Sequence, residues 1–351
     1  MPCVDSGLCA AVNAGAADTA EKLATRAMIL NHSGPQPYDV LWRVAKIRKD
    51  EPAELANLQL AADKLEGDTL NTNVRLGLLF QLGLIQQEFG EAKTDKAAKD
   101  KLYRGAAKTF LQVLKEFPTS EDAAAAMQGV SISANVVGDT AISNAAVAVV
   151  KASMDKYNDQ TLAQAGVLST AAQKTDDAVL FFGGAAKLNP YFRDYLFNLA
   201  AMMYTAKQIP EMIPVVHKLI ALDPSNPEDL MLFTYAFSSL SKISKDPAVV
   251  KAAIDSVMYF GTLAENMPLR LTYTGFERQL SRTVLTGTVE NKTKVARTIT
   301  IEFEFIGKDG AVLQKSTATV ADVAAGATGT FKVDIPIGGV VGVRYAPLPL
   351  K

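Results

Sequence analysis

The stretch that decides the fold is residues 160–226, QTLAQAGVLSTAAQKTDDAVLFFGGAAKLNPYFRDYLFNLAAMMYTAKQIPEMIPVVHKLIALDPSN. Read from Asp159, one helical unit carries Leu162, Ala165 and Gly166, then Ala178, Phe182 and Ala185, and closes at Asn189-Pro190. Read from Arg193, the next carries Leu196, Leu199 and Ala200, then Val216 and Leu219, and closes at Asp223-Pro224. Pro190 and Pro224 lie 34 residues apart, so the two units share one period. Apolar residues recur three and four apart, as in a helix with one buried face. Small residues stand where two helices must approach closely, and large ones fill the space between hairpins. Repetition of this kind is the signature of stacked helical hairpins.

Upstream the same spacing continues. Residues 16–30 are Ala-rich and read as a helix, broken at Asn31-His32-Ser33-Gly34-Pro35. Residues 39–48, which hold the single Trp (Trp42), and a helix from Glu51-Pro52 to Leu65 make the first hairpin. Residues 71–89 and 95–117 make the second, in which the small residue Gly77 precedes Ala106 by 29 positions. A standard hairpin of this repeat needs about a dozen, so both helices are predicted to be longer than their neighbours. The charged segment 91–101 would then be a solvated tip. Residues 120–137 and 139–156 follow, turning at Gly138-Asp139. The second of these is nearly all Ala and Val, and is expected to be deeply buried or to face a partner. Residues 227–242 and 246–265 form a last pair, with Asp246-Pro247 as N-cap and first helical residue. The expectation is thirteen helices, six hairpins and an extra terminal helix.

After Pro268 the period falls to two. Residues 283–289 (TVLTGTV) and 298–305 (TITIEFEF) alternate apolar and polar, and further strands are predicted at 311–320, 329–335 and 340–345. Turn residues fall at Glu290-Asn291-Lys292, at 307–310 (GKDG) and at Ala324-Ala325-Gly326. Five or more strands in about 80 residues predict a small antiparallel sandwich. From Arg270 onward there are 11 basic and 7 acidic residues, a balance of +4 against −5 for the remainder. The chain is thus expected to comprise an N-terminal extension (1–15), an all-α hairpin solenoid (16–266) and an all-β sandwich (267–351).

A hydrophobic fraction of 48% with 21% charged residues supplies enough apolar surface for a core and excludes disorder as the general state. A net charge of −1 provides no concentrated basic face, which argues against nucleic acid as a partner. No apolar run approaches the roughly 18 residues of a membrane span. Cys3 and Cys9 are the only cysteines. They read either as plain thiols or as a local disulfide pinning the N-terminus in an oxidising compartment. A zinc site takes about four ligands, and no His or acid cluster accompanies them. The first residues show no basic segment followed by an apolar core, which fits a cytoplasmic chain or one whose leader has been removed. Both ends are expected to be held by packing.

Catalytic patterns are missing. His32 and His217 are the only histidines, and neither has an acid or nucleophile at a catalytic spacing. His217 reads as a structural histidine, and Gly183-Gly184 as a helix-packing pair. There is no P-loop, GxGxxG after a strand, GxSxG, HExxH, CxxC or CxxCH. No enzyme, cofactor or metal is expected.

Residues 16–265 resemble the tetratricopeptide-repeat family, most clearly in the two units quoted first. That resemblance implies a non-catalytic scaffold which binds peptides or partner domains on its concave face. Residues 280–345 resemble the FxLYD-type, immunoglobulin-like sandwich of secreted and surface-attached prokaryotic proteins. Thr286-Gly287-Thr288-Val289-Glu290-Asn291 matches its opening strand and turn, and residues 303–310 (FEFIGKDG) its namesake strand. Phe305, Ile306 and Gly307 depart from the Leu, Tyr and Asp of the pattern. This second resemblance implies an extracytoplasmic setting, with the cytoplasm as the alternative.

In the repeat family the groove is lined by positions two, five, nine and twelve of each first helix. On this chain these are Asp194, Phe197, Ala201 and Tyr204, then Glu228, Met231, Tyr235 and Ser238. Phe197, Tyr204, Met231 and Tyr235 would make an aromatic and thioether strip rimmed by Asp194 and Glu228. Alternatively the solenoid curls tightly, and these side chains meet one another or the sandwich. The expected partners are proteins, copies of this chain foremost. The favoured role is a structural subunit of an envelope or extracellular assembly, polymerising end to end. The alternative is a monomeric adaptor that holds a peptide in the groove.

Overall fold

A computed structural model of the protein describes residues 15–30 and 34–348. Cys3, Cys9 and His32, with the packing expected of both chain ends, lie outside the described residues. The chain divides into two compact units, Met1–Ala172 and Gln173–Lys351. The division falls within the first of the two quoted repeat units, between its helices.

Among the described residues the first unit holds α1 (Ala17–Leu30), α2 (Gln36–Arg48), α3 (Glu51–Asp63), α4 (Thr72–Glu91), α5 (Lys96–Glu116), α6 (Ala123–Val137), α7 (Thr140–Lys151) and α8 (Asp159–Ala171). Aspartates open several of them. Asp50 accepts from the Ala53 N–H at 3.1 Å, Asp95 from Ala98 at 2.8 Å and Asp139 from Ala141 at 3.0 Å. Each bond satisfies a donor that a helix start leaves free. Consecutive helices pack on one another.

The second hairpin is lengthened as its residue spacing requires: α4 has 20 residues and α5 has 21, against 13 in each of α2 and α3. The close helix approach, however, is made at Gly83 and not at Gly77. Gly77 is exposed with open space around it, whereas a Cβ on Gly83 would lie 2.7 Å from the Phe110 ring. Six residues apart, the two glycines point about 120° away from each other round the helix. Gly129 of α6 meets Phe110 too, its added Cβ falling 2.5 Å from the ring. Two glycines on neighbouring helices thus clasp one fully buried aromatic. Trp42 packs with Leu58, Leu82 and Ile85, and its indole N–H donates to Asp39 at 2.8 Å. Deep burial of residues 139–156 does not occur. Helix α7 ends at Lys151, a 3-10 turn spans Met154–Lys156, and Ala146, Val147 and Val150 alone of α7 are buried.

The second unit holds α9 (Thr175–Leu188), α10 (Arg193–Thr205), α11 (Ile209–Leu222), α12 (Pro227–Ile243) and α13 (Pro247–Glu265). Six strands follow: β1 (Leu269–Arg278), β2 (Thr283–Asn291), β3 (Arg297–Gly307), β4 (Val312–Val323), β5 (Thr328–Ile335) and β6 (Val340–Tyr345). The last helix starts as its sequence reads, with Asp246 accepting from the Ala248 N–H at 2.8 Å. The strands form two three-stranded antiparallel sheets, ordered β1-β2-β5 and β4-β3-β6. Phe303 and Phe305 of the central strand β3 are fully buried between them with Leu271 and Val289. The fold class is therefore helical hairpins followed by a small all-β sandwich. Five of the strands are those predicted, and β1 is an addition.

The two proline corners that set the 34-residue period share a structural job. At the first, the Asn189 amide donates to the Val341 carbonyl of β6 at 3.0 Å; at the second, the Tyr345 hydroxyl of β6 donates to Asp223 at 2.5 Å. The repeat places two equivalent polar residues in line, and one strand of the sandwich is held by both.

Candidate functional site

Helices α10 and α12 are the first helices of successive hairpins and lie in contact. They bring Tyr204 and Tyr235 together, ring centroids 5.7 Å apart and planes tilted by 38°. These rings remain 41% and 46% exposed, so an aromatic pair stays open to a partner. The other residues expected in the groove make contacts of their own. Phe197 is half-buried beneath the Arg193 guanidinium at 4.9 Å, and Asp194 is exposed, accepting from Arg193 at 3.0 Å. Met231 packs against the buried cluster of Leu230, Ala264 and Met267. Glu228 is exposed at the start of α12, where the Asn226 side chain accepts from its backbone N–H at 3.1 Å. Two tyrosines meet, Asp194 and Phe197 gather on one arginine, and Met231 turns partly inward.

Arg193 is the centre of a buried charge cluster that no sequence motif marks. Its guanidinium donates to Asp223 at 2.8 Å and to Asp229 at 2.6 Å, and both carboxylates are wholly buried. The Tyr345 hydroxyl, already a donor to Asp223, accepts from the Ser225 N–H at 3.0 Å. Ser225 in turn accepts from the backbone N–H groups of Leu348, through its hydroxyl, and Leu271, through its carbonyl. Burial first, and the neighbouring Asp223 second, push the Asp229 carboxyl up to about 8 against the opposing pull of Arg193. Through Asp223, Ser225 and Tyr345 the arrangement joins the corner to the sandwich.

A cleft of about 480 Å3 lies beside β3 and β6, with Thr300, Glu302, Glu304 and Arg344 in its wall. Both glutamates are paired, Glu302 with Lys315 at 3.0 Å and Glu304 with Lys315 and Arg344 at 2.8 and 2.6 Å. These hydrogen bonds hold Glu304 below the usual carboxylate range, unsuited to donating a proton. Among the described residues no cluster of three or more His, Cys, Asp or Glu could hold a metal, and no helix is long and apolar enough to cross a membrane.

The last helix of the second unit carries several exposed apolar side chains. Of the 19 residues of α13 only Ala253 and Ala264 are buried. Ile254, Met258 and Tyr259 are 51%, 66% and 63% exposed. Helix α13 packs on α12, and its flanks stay uncovered.

No protein-family model matches the chain, and no curated protein matches it. Solved structures similar to it include MamA (AMB-1), at 17% identity and a TM-score of 0.35, over 52% of this chain and 92% of that one. The C-terminal part of a TPR repeat-containing protein from Cytophaga hutchinsonii is similar at 13% identity and a TM-score of 0.34, over 72% and 93%. A tetratricopeptide repeat protein from Parabacteroides merdae is similar at 14% identity and a TM-score of 0.29, over 72% and 96%.

Proposed function

We propose that the chain is a non-enzymatic protein-interaction scaffold, built into a larger assembly. The observation that carries this reading is the apolar exposure of α13. A terminal helix of a hairpin array needs a polar outer face to remain alone in water, and α13 offers Ile254, Met258 and Tyr259 instead. A protein surface is the natural cover for it, and a copy of the same chain is the simplest source. The assembly proposed is an envelope or extracellular one, in which copies of the chain join through their ends. The extracytoplasmic setting draws support from the resemblance of residues 286–291 and 303–310 to modules of secreted proteins, and cell fractionation tests it. Light scattering over a concentration series, with negative-stain images of the same samples, tests assembly. Mass that grows with concentration supports it, and a constant 37.5 kDa rejects it.

The Tyr204–Tyr235 pair favours a second reading, an adaptor that holds a partner peptide in the groove. Under that reading Tyr204→Ala with Tyr235→Ala abolishes partner capture and leaves the assembly state unchanged.

A further inference from the structure

Along α13 the residues Lys251, Ile254, Met258, Gly261 and Glu265 are spaced three, four, three and four apart. At 100° per residue all five fall within about 80° of arc, the spacing of a coiled-coil seam. The stripe is open: Lys251 and Met258 are well exposed, Ile254 is half out, and a Cβ on Gly261 would meet nothing within 4 Å. We infer that this stripe is where two copies of the chain pair, α13 against α13, antiparallel. The inference rests on the scaffold reading and names the partner and the surface.

Complementarity fixes the occupant and the direction. In a parallel pair Lys251 would face Lys251 of the other copy and Glu265 would face Glu265, like charge on like. In an antiparallel pair centred between Ile254 and Met258, each Ile254 faces the other copy's Met258, giving two equal apolar layers. Each Lys251 then lies over the other copy's Gly261, where the missing side chain makes room for the lysine stem. One helical turn further stands Glu265, within reach of the ammonium group. Lys251 at present reaches Asp255 of its own helix at 3.2 Å, a solvent-exposed pair that costs little to exchange. The twofold operation repeats every contact, so this face alone makes a dimer, and growth beyond two copies would use the chain's ends as a second contact.

The full-length chain, with Cys3 and Cys9 replaced by Ser, tests this by cross-linking. Mixed under mild oxidation, Ile254→Cys and Met258→Cys proteins are expected to give covalent dimers far faster than either alone, and Tyr259→Cys on the other flank to give none. Faster self-linking of Met258→Cys would overturn the antiparallel arrangement. Charge exchange tests the ends of the stripe. Lys251→Glu and Glu265→Lys are each expected to weaken dimerisation roughly tenfold, and the double exchange to restore it. The side chains changed on α13 are exposed, and circular dichroism verifies that the variants stay folded. If the wild-type chain associates but neither single exchange weakens it, α13 is not the contact and the scaffold reading stands. If the wild-type chain stays at 37.5 kDa while the groove tyrosines prove essential for capturing a partner, self-pairing falls and the adaptor reading takes its place.

Discussion

Asp223 and Asp229, both wholly buried, share one guanidinium, and this sets a testable pH dependence. In the unfolded chain Asp229 loses its proton near the ordinary value of about 3.9, whereas in the folded chain it keeps it to about 8. Its contribution to stability is therefore complete below the first value and lost as pH rises through the second. The denaturant midpoint of the second unit is expected to fall between about pH 5 and pH 8, and Asp229→Asn to flatten that fall. An unchanged slope in the variant would assign the pH dependence to other groups. Tyr345→Phe removes the donor to Asp223 and the acceptor for the Ser225 N–H, and should cost about 1–3 kcal/mol by urea unfolding. At the clasped aromatic, Gly129→Ala puts a methyl group 2.5 Å from the Phe110 ring and should cost about 1–3 kcal/mol through overpacking. None of these contacts is legible in the sequence. Arg193 is 30 and 36 residues from its two carboxylates and Tyr345 is 122 from Asp223, and no local pattern encodes pairs so distant.

At the scale of the element, periodicity carries most of the information. Most described helices lie where apolar spacing places them, and several open on an Asx cap or a proline, because an amphipathic face and a cap are both local properties. Where sequence and structure differ, locality fails. Strand β1 escapes the periodicity because a register shift between Tyr273 and Gly275 breaks its two-residue alternation, and only Leu269 and Leu271 of it are buried. The Ala and Val content of α7 suggests deep burial, but small side chains do not reveal how many faces are covered. Family positions alone place the groove, whereas the contacts that Asp194 and Phe197 make with Arg193, and Met231 with the Met267 cluster, are not local properties. The tyrosines remain as the usable pair. Replacing Tyr204 and Tyr235 by Ala should cost about 0.5–1.5 kcal/mol of stability, since each ring is more than half covered and the two touch, and any peptide held in the groove should lose affinity at least about tenfold in a titration. A large loss of stability would show that the pair serves the fold instead.

For the whole molecule, the two compact units each enclose their own core, with Phe110 in one and the Phe303 and Phe305 sandwich in the other. Calorimetry should therefore resolve the effects of the substitutions above: Gly129→Ala is expected to lower the transition of the first unit and Tyr345→Phe that of the second. In the second unit β6 is fastened to both proline corners, so removing the sandwich would strip Asn189 and Asp223 of their partners in it. Point changes on exposed surfaces probe assembly more cleanly than truncation. The most direct is a comparison of molar mass by light scattering for the wild-type chain and Met258→Lys over the same concentration range. A mass that rises from 37.5 kDa in the wild type and stays there in the folded variant is the expected result. A wild-type mass fixed at 37.5 kDa at every concentration would contradict self-assembly through α13.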